Sequence, residues 1–151
     1  MNMRFRSALL CALMAVVTCA SSETATYTGS ATSSVTKSIL PLGNGGSVVS
    51  ATSSGMAAIS TNPPTLLEMN CAGLGLVSAE SSHSTDFYCT FKANENDSLD
   101  VKGTDGPDGG QATVIGGSGR WKDATGSGTF KRASSTDSTS SSTFELNVTT
   151  P

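Results

Sequence analysis

Three groups of residues in this sequence could do chemistry, and the first surrounds the single histidine. His83 lies three residues before Asp86 and has serines on both sides. A Ser-His-Asp triad needs these residue types, but the sequence has no Gly-x-Ser-x-Gly turn to expose a nucleophilic serine. Serine is also so common here that its proximity to His83 carries little weight. We therefore interpret His83 as a solvated turn residue and assign no catalytic residue.

Acidic side chains in two neighbouring turns form the second group: Glu95, Asp97, Asp100, Asp105 and Asp108. Carboxylates can bind calcium, but their spacing here fits no EF-hand loop. Since Asp is also an ordinary turn former, solvated hairpin loops explain the cluster better. We therefore assign no metal site and no cofactor.

Glycines around the only tryptophan form the third group, in the stretch GGSGRWKDATGSGTF, residues 116–130. A phosphate-binding loop needs a Gly-Lys-Ser/Thr step followed by a helix. This stretch lacks that step, and its second half continues into the strand-like TFK. The pattern therefore argues against a phosphate site.

The first twenty residues have the pattern of a secretory signal peptide. Arg4 and Arg6 precede an apolar run that ends in small residues near Ala20 and is too short to span a membrane as a helix. We expect residues 1–20 to be removed and residues 21–151 to form a periplasmic or secreted domain. A lipid anchor on Cys19 is the alternative, although Thr18 fits a lipobox poorly.

The charge of the mature chain limits its partners. Without the leader it has seven basic and twelve acidic residues. An acidic surface repels phosphate groups, so nucleic acids and anionic membranes are not the expected partners.

Apolar residues in the mature chain alternate with polar ones, which is typical of β-strands. In TDFYCTFK, for example, Phe87, Cys89 and Phe91 share one face. Turn clusters divide the chain into eight strands over residues 24–38, 47–59, 66–77, 84–93, 98–103, 111–116, 126–134 and 141–149, with a single helical turn over 120–124. Short strands joined by short polar turns predict an all-β fold, an eight-stranded antiparallel up-and-down β-barrel in one domain. For residues 21–60 a disordered Ser/Thr-rich arm is the alternative.

For two predicted hairpins, the position of the turn determines which residues of the two strands lie opposite each other. With the turn centred on residue 80, Cys71 and Cys89 lie directly opposite each other on one sheet face, which favours a structural disulfide over two free thiols or a redox pair. With the turn centred on Asp137, Phe130 faces Phe144. In that register Gly128 faces Leu146 and Gly126 faces Val148.

Residues 116–130 resemble the GGTGRFxGATGxGT signature of β-barrels of the allene oxide cyclase and dirigent type, a pattern shared by exported bacterial proteins of unassigned activity. The matching residues are Gly116, Gly117, Gly119, Ala124, Thr125, Gly126, Gly128 and Thr129, with Trp121 in place of Phe and Asp123 in place of Gly. The resemblance implies an eight-stranded antiparallel barrel in which this stretch is a strand, a tight turn over one barrel end, and the next strand. Trp121 would be packed on that end.

The resemblance transfers no catalytic or pocket residue, because none can be matched position by position. The expected function is therefore non-enzymatic: a structural role in the cell envelope, or binding of a small apolar ligand in the barrel mouth. An isomerase or cyclase acting on a hydrophobic substrate inside the barrel is one alternative, and an envelope protein-interaction module is another. The sequence assigns no ligand-binding residue and no oligomeric state, since it shows no exposed apolar stripe.

Overall fold

The computed structural model describes residues 22–78, 83–106 and 108–151, with the side chain of His83 excepted. The predicted signal peptide, the alternative at Cys19 and the interpretation of the His83 side chain lie outside these residues. The described chain forms eight strands: β1 (Glu23–Pro41), β2 (Ser47–Ile59), β3 (Thr65–Val77), β4 (His83–Lys92), β5 (Ser98–Gly106), β6 (Gly109–Ser118), β7 (Thr125–Ser135) and β8 (Thr139–Thr150). A 3₁₀ turn, η1 (Gly119–Trp121), precedes β7.

The strands close into one antiparallel barrel in which each strand pairs with its neighbours in sequence and β8 pairs with β1. The predicted fold class is thereby confirmed. The disordered-arm alternative is wrong for the described part of the N-terminal region, because β1 and β2 pair along thirteen consecutive positions. Alternating serines and threonines suit a half-buried strand, whose outward positions need no apolar side chain.

Both predicted hairpin registers are present. Cys71 lies opposite Cys89 and forms a disulfide with it. Phe130 lies opposite Phe144, with Gly128 opposite Leu146. In the cysteine and phenylalanine pairs, both side chains lie on the same face of the sheet, which is the inner face of the barrel.

The boundary between β5 and β6 differs from the prediction. The connector was expected to be the seven-residue TDGPDGG, yet β5 continues to Gly106 and β6 begins at Gly109, so most of that connector is strand. Glycine and aspartate mark turns in a local sequence pattern. Here the backbone pairing between Thr104 and Gln111 and between Asp105 and Gly110 overrides that local preference.

The two ends of the barrel differ. At the end where η1 lies, which we call the closed end, large side chains fill the interior, with Leu67, Trp121 and Val148 at most 2% exposed. The opposite end, where β1, β3, β5 and β7 end, we call the open end. The packed core therefore occupies only part of the barrel and leaves the rest of the interior hollow.

Candidate ligand-binding cavity

The hollow part of the barrel is a cavity of about 460 Å³ that begins above the core and reaches the open end. A volume in this range suits a small organic ligand. Its walls are mainly inward-facing side chains of the strands. Apolar members of the lining include Met69, Val101, Phe87, Phe91, Phe130 and Phe144, and the Cys71–Cys89 disulfide also lies in the wall.

The phenylalanines lie against glycines on neighbouring strands. A Cβ added to Gly103 would lie 2.7 Å from Cζ of Phe87, and one added to Gly29 would lie 2.7 Å from Cζ of Phe144. Each of these glycines is the direct cross-strand partner of its phenylalanine. Because the glycines have no side chain, the rings can rest along the wall, which keeps the lumen open.

Ring contacts link the aromatic wall around the cavity. Phe87 and Phe130 meet edge to face with their centroids 5.3 Å apart. Phe91 and Phe144 lie 6.3 Å apart with a tilt of 46°. Such pairs stabilise one another beyond simple area burial, so the wall presents an ordered apolar surface to a ligand.

Polar groups are placed toward the open end of the cavity. Asp105 on β5 and Arg132 on β7 line the cavity and form an ion pair, and their side chains are 24% and 25% exposed. On the strand between them, Gly110 of β6 is the direct partner of Asp105 on one side and of Phe130 on the other. Lys37 and several serines complete the polar part of the lining. The cavity is therefore amphipathic, with an apolar body and a charged rim.

The closed end is held by a contact between two turns. The backbone N–H of Arg120 donates to Oδ1 of Asp97 at 3.1 Å, and Asn94 Nδ2 donates to Oδ2 at 3.0 Å. The hydrogen bond from Arg120, followed by that from Asn94, lowers the pKa of Asp97 below its ordinary value. The Arg120 guanidinium also lies 4.1 Å from the centroid of the Trp121 ring.

Trp121 itself packs inside the closed end. It is 2% exposed and meets Tyr27 edge to face at a centroid distance of 6.4 Å. A Cβ added to Gly117 would lie 3.1 Å from Cβ of Trp121, so a glycine allows the indole to approach β6. Trp121 thus contributes to the floor beneath the cavity and does not line it.

The other residues singled out in the glycine stretch lie around this floor. Positive φ angles occur at Gly116, Gly119, Asp123 and Gly126. Gly116 follows a register shift in the pairing of β5 with β6, and Gly126 and Gly128 begin β7. Asp123, at φ 57°, has the left-handed conformation that glycine would supply at this position of the resembled pattern.

The acidic group considered as a calcium site is divided by the fold. Asp97 lies at the closed end, Asp100 lies within β5 and accepts a hydrogen bond from Thr90, and Asp105 faces the cavity near the open end. Among the described residues, no three His, Cys, Asp or Glu side chains come together as a metal site. Sequence proximity failed here because an extended strand separates its two ends by more than 20 Å over about eight residues.

The residues that line the cavity were not assigned from the sequence, although the sequence pattern placed several of them on common strand faces. Strand alternation had already placed Phe87, Cys89 and Phe91 on one face, and the hairpin register had paired Phe130 with Phe144. The Asp105–Arg132 pair gave no such signal, because its members are 27 residues apart on strands that are not neighbours in the sheet.

Comparison with known proteins supports the fold. No family model matches the sequence, and none of the curated proteins matches it. Among solved structures, the chain is similar to the pterocarpan synthase dirigent protein GePTS1, with a TM-score of 0.59, 12% sequence identity and 86% of each chain covered. It is also similar to the pterocarpan synthase dirigent protein PsPTS1, with a TM-score of 0.51, 13% identity, and 85% of this chain and 95% of that chain covered.

These likenesses define the class of fold: an eight-stranded antiparallel barrel of the dirigent type. At such low identity they carry no site residue across. Within the described residues, no helix has the length and apolar character needed to cross a membrane.

Proposed function

We propose that this protein is exported to the periplasm or secreted, and that it binds a small apolar ligand inside its barrel without transforming it. The observation that carries the proposal is the cavity of about 460 Å³, walled by phenylalanines and reaching the open end of the barrel. The leader pattern of residues 1–20 and the Cys71–Cys89 disulfide support export, since disulfides persist in oxidising compartments.

The shape of the cavity favours binding over a purely structural role. A barrel that served only as a scaffold could fill its interior with side chains, as the closed end does around Leu67 and Val148. Instead, glycines opposite Phe87 and Phe144 let the rings lie along the wall. An apolar ligand would displace water from this surface, and the burial of apolar area would favour its binding.

A direct test uses protein secreted by a Gram-negative host. Its intact mass under denaturing conditions gives the cleavage site, any lipid on Cys19 and the disulfide. The mass under native conditions shows whether a discrete small molecule accompanies the chain. A native mass equal to a whole number of denatured chains, together with no binding of an added probe, would contradict the binding role and leave the structural or protein-interaction alternatives.

A fluorescent probe tests the cavity separately. N-phenyl-1-naphthylamine should bind with enhanced fluorescence, and Ala51→Phe should weaken this binding, because Ala51 lines the cavity and a phenyl ring would occupy it. Thr113→Phe is the matched control, since Thr113 is exposed on the outer face of β6. Equal weakening by both variants would locate the probe elsewhere.

The Asp105–Arg132 pair favours a second candidate, an isomerase or cyclase acting on a hydrophobic substrate. A carboxylate and a guanidinium beside an apolar cavity could move a proton and stabilise a developing negative charge. Turnover of a lipid epoxide that is lost in Asp105→Asn but kept in Asp86→Asn, an exposed outer-face control, would establish it. Absence of turnover in the unaltered protein favours binding alone.

A further inference from the structure

Strand β1 extends beyond the strand that closes the barrel. It pairs with β8 from Glu23 to Ser34, and one further hydrogen bond joins Val35 N–H to the Ser138 carbonyl at 2.8 Å. Its pairing with β2 continues to Pro41. Residues 36–41, which we call the β1 edge, therefore have β2 on one side and no strand of the described chain on the other. All six residues of the edge are exposed.

The alternation of hydrogen bonds shows which backbone groups face outward from the edge. Leu42 N–H donates to the Gly46 carbonyl on the β2 side, whereas Val35 N–H donates toward β8. Even-numbered residues of this segment thus bond to β2, and the N–H and C=O groups of Lys37 and Ile39 point away from it. Pro41 has no N–H and ends the edge. These four backbone groups and the Pro41 carbonyl form an extended row that is available for pairing with another strand.

The surface beside the edge is apolar. Ile39 and Leu40 are each 63% exposed. Leu40 lies opposite Val48, which in turn lies opposite Leu76, also 63% exposed. The expectation that no exposed apolar stripe exists is therefore wrong, because this row runs across three strands and is not visible along any one of them.

Charge is absent from the outer faces of β1 and β2. The outward residues of β1 from Thr24 to Leu40 are serines, threonines and a leucine, and those of β2 carry no charge either. Elsewhere the mature chain is acidic, with seven basic and twelve acidic residues in all. Two copies would repel one another through most of their surface but not through this face.

We propose that the β1 edge pairs with the same edge of a second copy, antiparallel and about a two-fold axis, so that the protein is a dimer. An uncharged face that carries a row of exposed aliphatic side chains beside an open strand edge offers no charge pattern to select a different partner, but it is complementary to itself. This inference does not depend on the proposed ligand or on the second candidate function.

We place the two-fold axis of this pairing at Ser38. With the axis at Ser38, Lys37 of one copy lies opposite Ile39 of the other, and four interchain hydrogen bonds form. The register with Lys37 opposite Lys37 would place like charges directly across from each other, which destabilises a strand pair. In the favoured register the aliphatic stem of each lysine covers an isoleucine. Since Lys37 and Ile39 line the cavity, the second copy would extend the wall of its open end.

Sedimentation velocity on the mature secreted protein, over a wide concentration range, tests the proposal. We expect a monomer–dimer equilibrium. Ile39→Pro removes one donated hydrogen bond from each copy and should raise the dimer dissociation constant about thirtyfold. Leu40→Lys should also favour the monomer, whereas Leu66→Lys, at a residue 62% exposed at the closed end, should not. Circular dichroism would verify that each variant is folded.

Cross-linking tests the register without disturbing the edge. Ser38→Cys should give a covalent dimer under mild oxidation, because the axis brings the two residues face to face as a non-hydrogen-bonded pair. Ser30→Cys, outward on the part of β1 that β8 covers, should not. A protein that is monomeric at all concentrations, a trimer, or a dimer unaffected by both Ile39→Pro and Leu40→Lys would overturn the proposal.

Discussion

Asp123 has a strained backbone conformation in the turn between η1 and β7, at the closed end of the barrel. It is the one non-glycine residue of the described chain with a positive φ, 57°, and it is exposed. Its neighbours hold this geometry: Ala124 N–H donates to the Trp121 carbonyl at 3.0 Å, and Lys122 N–H donates to the Gly119 carbonyl at 3.1 Å. The fold therefore accepts a left-handed aspartate where glycine would fit more easily.

Replacing Asp123 with glycine should therefore stabilise the protein slightly. We expect a gain of up to about 1 kcal/mol in the free energy of unfolding, because relief of the left-handed strain exceeds the entropy lost by a glycine. Urea denaturation followed by circular dichroism measures it. Asp137→Gly is the control: Asp137 has no positive φ, so glycine there should be neutral or destabilising. Equal effects at both positions would argue against strain at Asp123.

Asp97 should make the closed end sensitive to acid. Its pKa is lowered chiefly by the hydrogen bond from Arg120 N–H, so folding favours the carboxylate form. The stabilisation is complete above the unfolded-state pKa of about 3.9 and is lost as the pH falls through the lower folded-state value. We expect Asp97→Asn to flatten the decline of thermal stability below about pH 4. An unchanged pH profile in this variant would show that other carboxylates cause the decline.

Two elements, the 3₁₀ turn η1 and the β3–β4 hairpin, stabilise different parts of the barrel. The 3₁₀ turn η1 buries Trp121 inside the closed end, and the β3–β4 hairpin joins two strands of the cavity wall through the Cys71–Cys89 disulfide. The 3₁₀ turn lies at the closed end and the disulfide lies in the cavity wall, so each should have a separable effect on stability.

Trp121→Ala should strongly destabilise the protein at its closed end. Removing a buried indole that contacts Tyr27 leaves a cavity in the core, and we expect a loss of about 3–5 kcal/mol in unfolding free energy. Circular dichroism is the suitable probe, since the variant has lost the only tryptophan. Trp121→Phe keeps an aromatic ring and should lose less. If the alanine variant melts like the parent, Trp121 does not support the fold.

The disulfide should stabilise the barrel through its short loop. The cysteines are 18 residues apart, and by the loop-entropy model the double variant Cys71→Ala/Cys89→Ala should lose about 3 kcal/mol. Changing both residues avoids leaving a single reactive thiol. A loss well below about 1 kcal/mol would mean that the unfolded hairpin is already restricted without the bridge.

At the scale of the whole molecule, the barrel is packed at one end and hollow at the other. Trp121, Leu67, Leu99 and Val148 form a dense core at the closed end, while the cavity of about 460 Å³ occupies the rest. Apolar packing, which contributes much of a domain's stability, is thus concentrated away from the cavity.

Hydrogen exchange should show a gradient along the barrel. In β3, the amides of Leu67 and Met69 near the closed end and those of Gly75 and Val77 near the open end all face β2 in the same ladder. We expect the first pair to exchange considerably more slowly, because opening there disrupts the packed core. Equal protection of both pairs would mean that the barrel opens only as one unit.

Local patterns in the sequence determined the strands, the barrel class, the hairpin registers and the Cys71–Cys89 pairing. These features depend on alternation with period two and on turn residues, both of which act between near neighbours in the chain. The tertiary structure alone decided the placement of Asp105 beside Arg132, the glycines opposite Phe87 and Phe144 on the neighbouring strands, and the unpaired edge of β1. Each of these depends on how far one strand slides past the next when the sheet closes, and no short stretch of sequence encodes that offset.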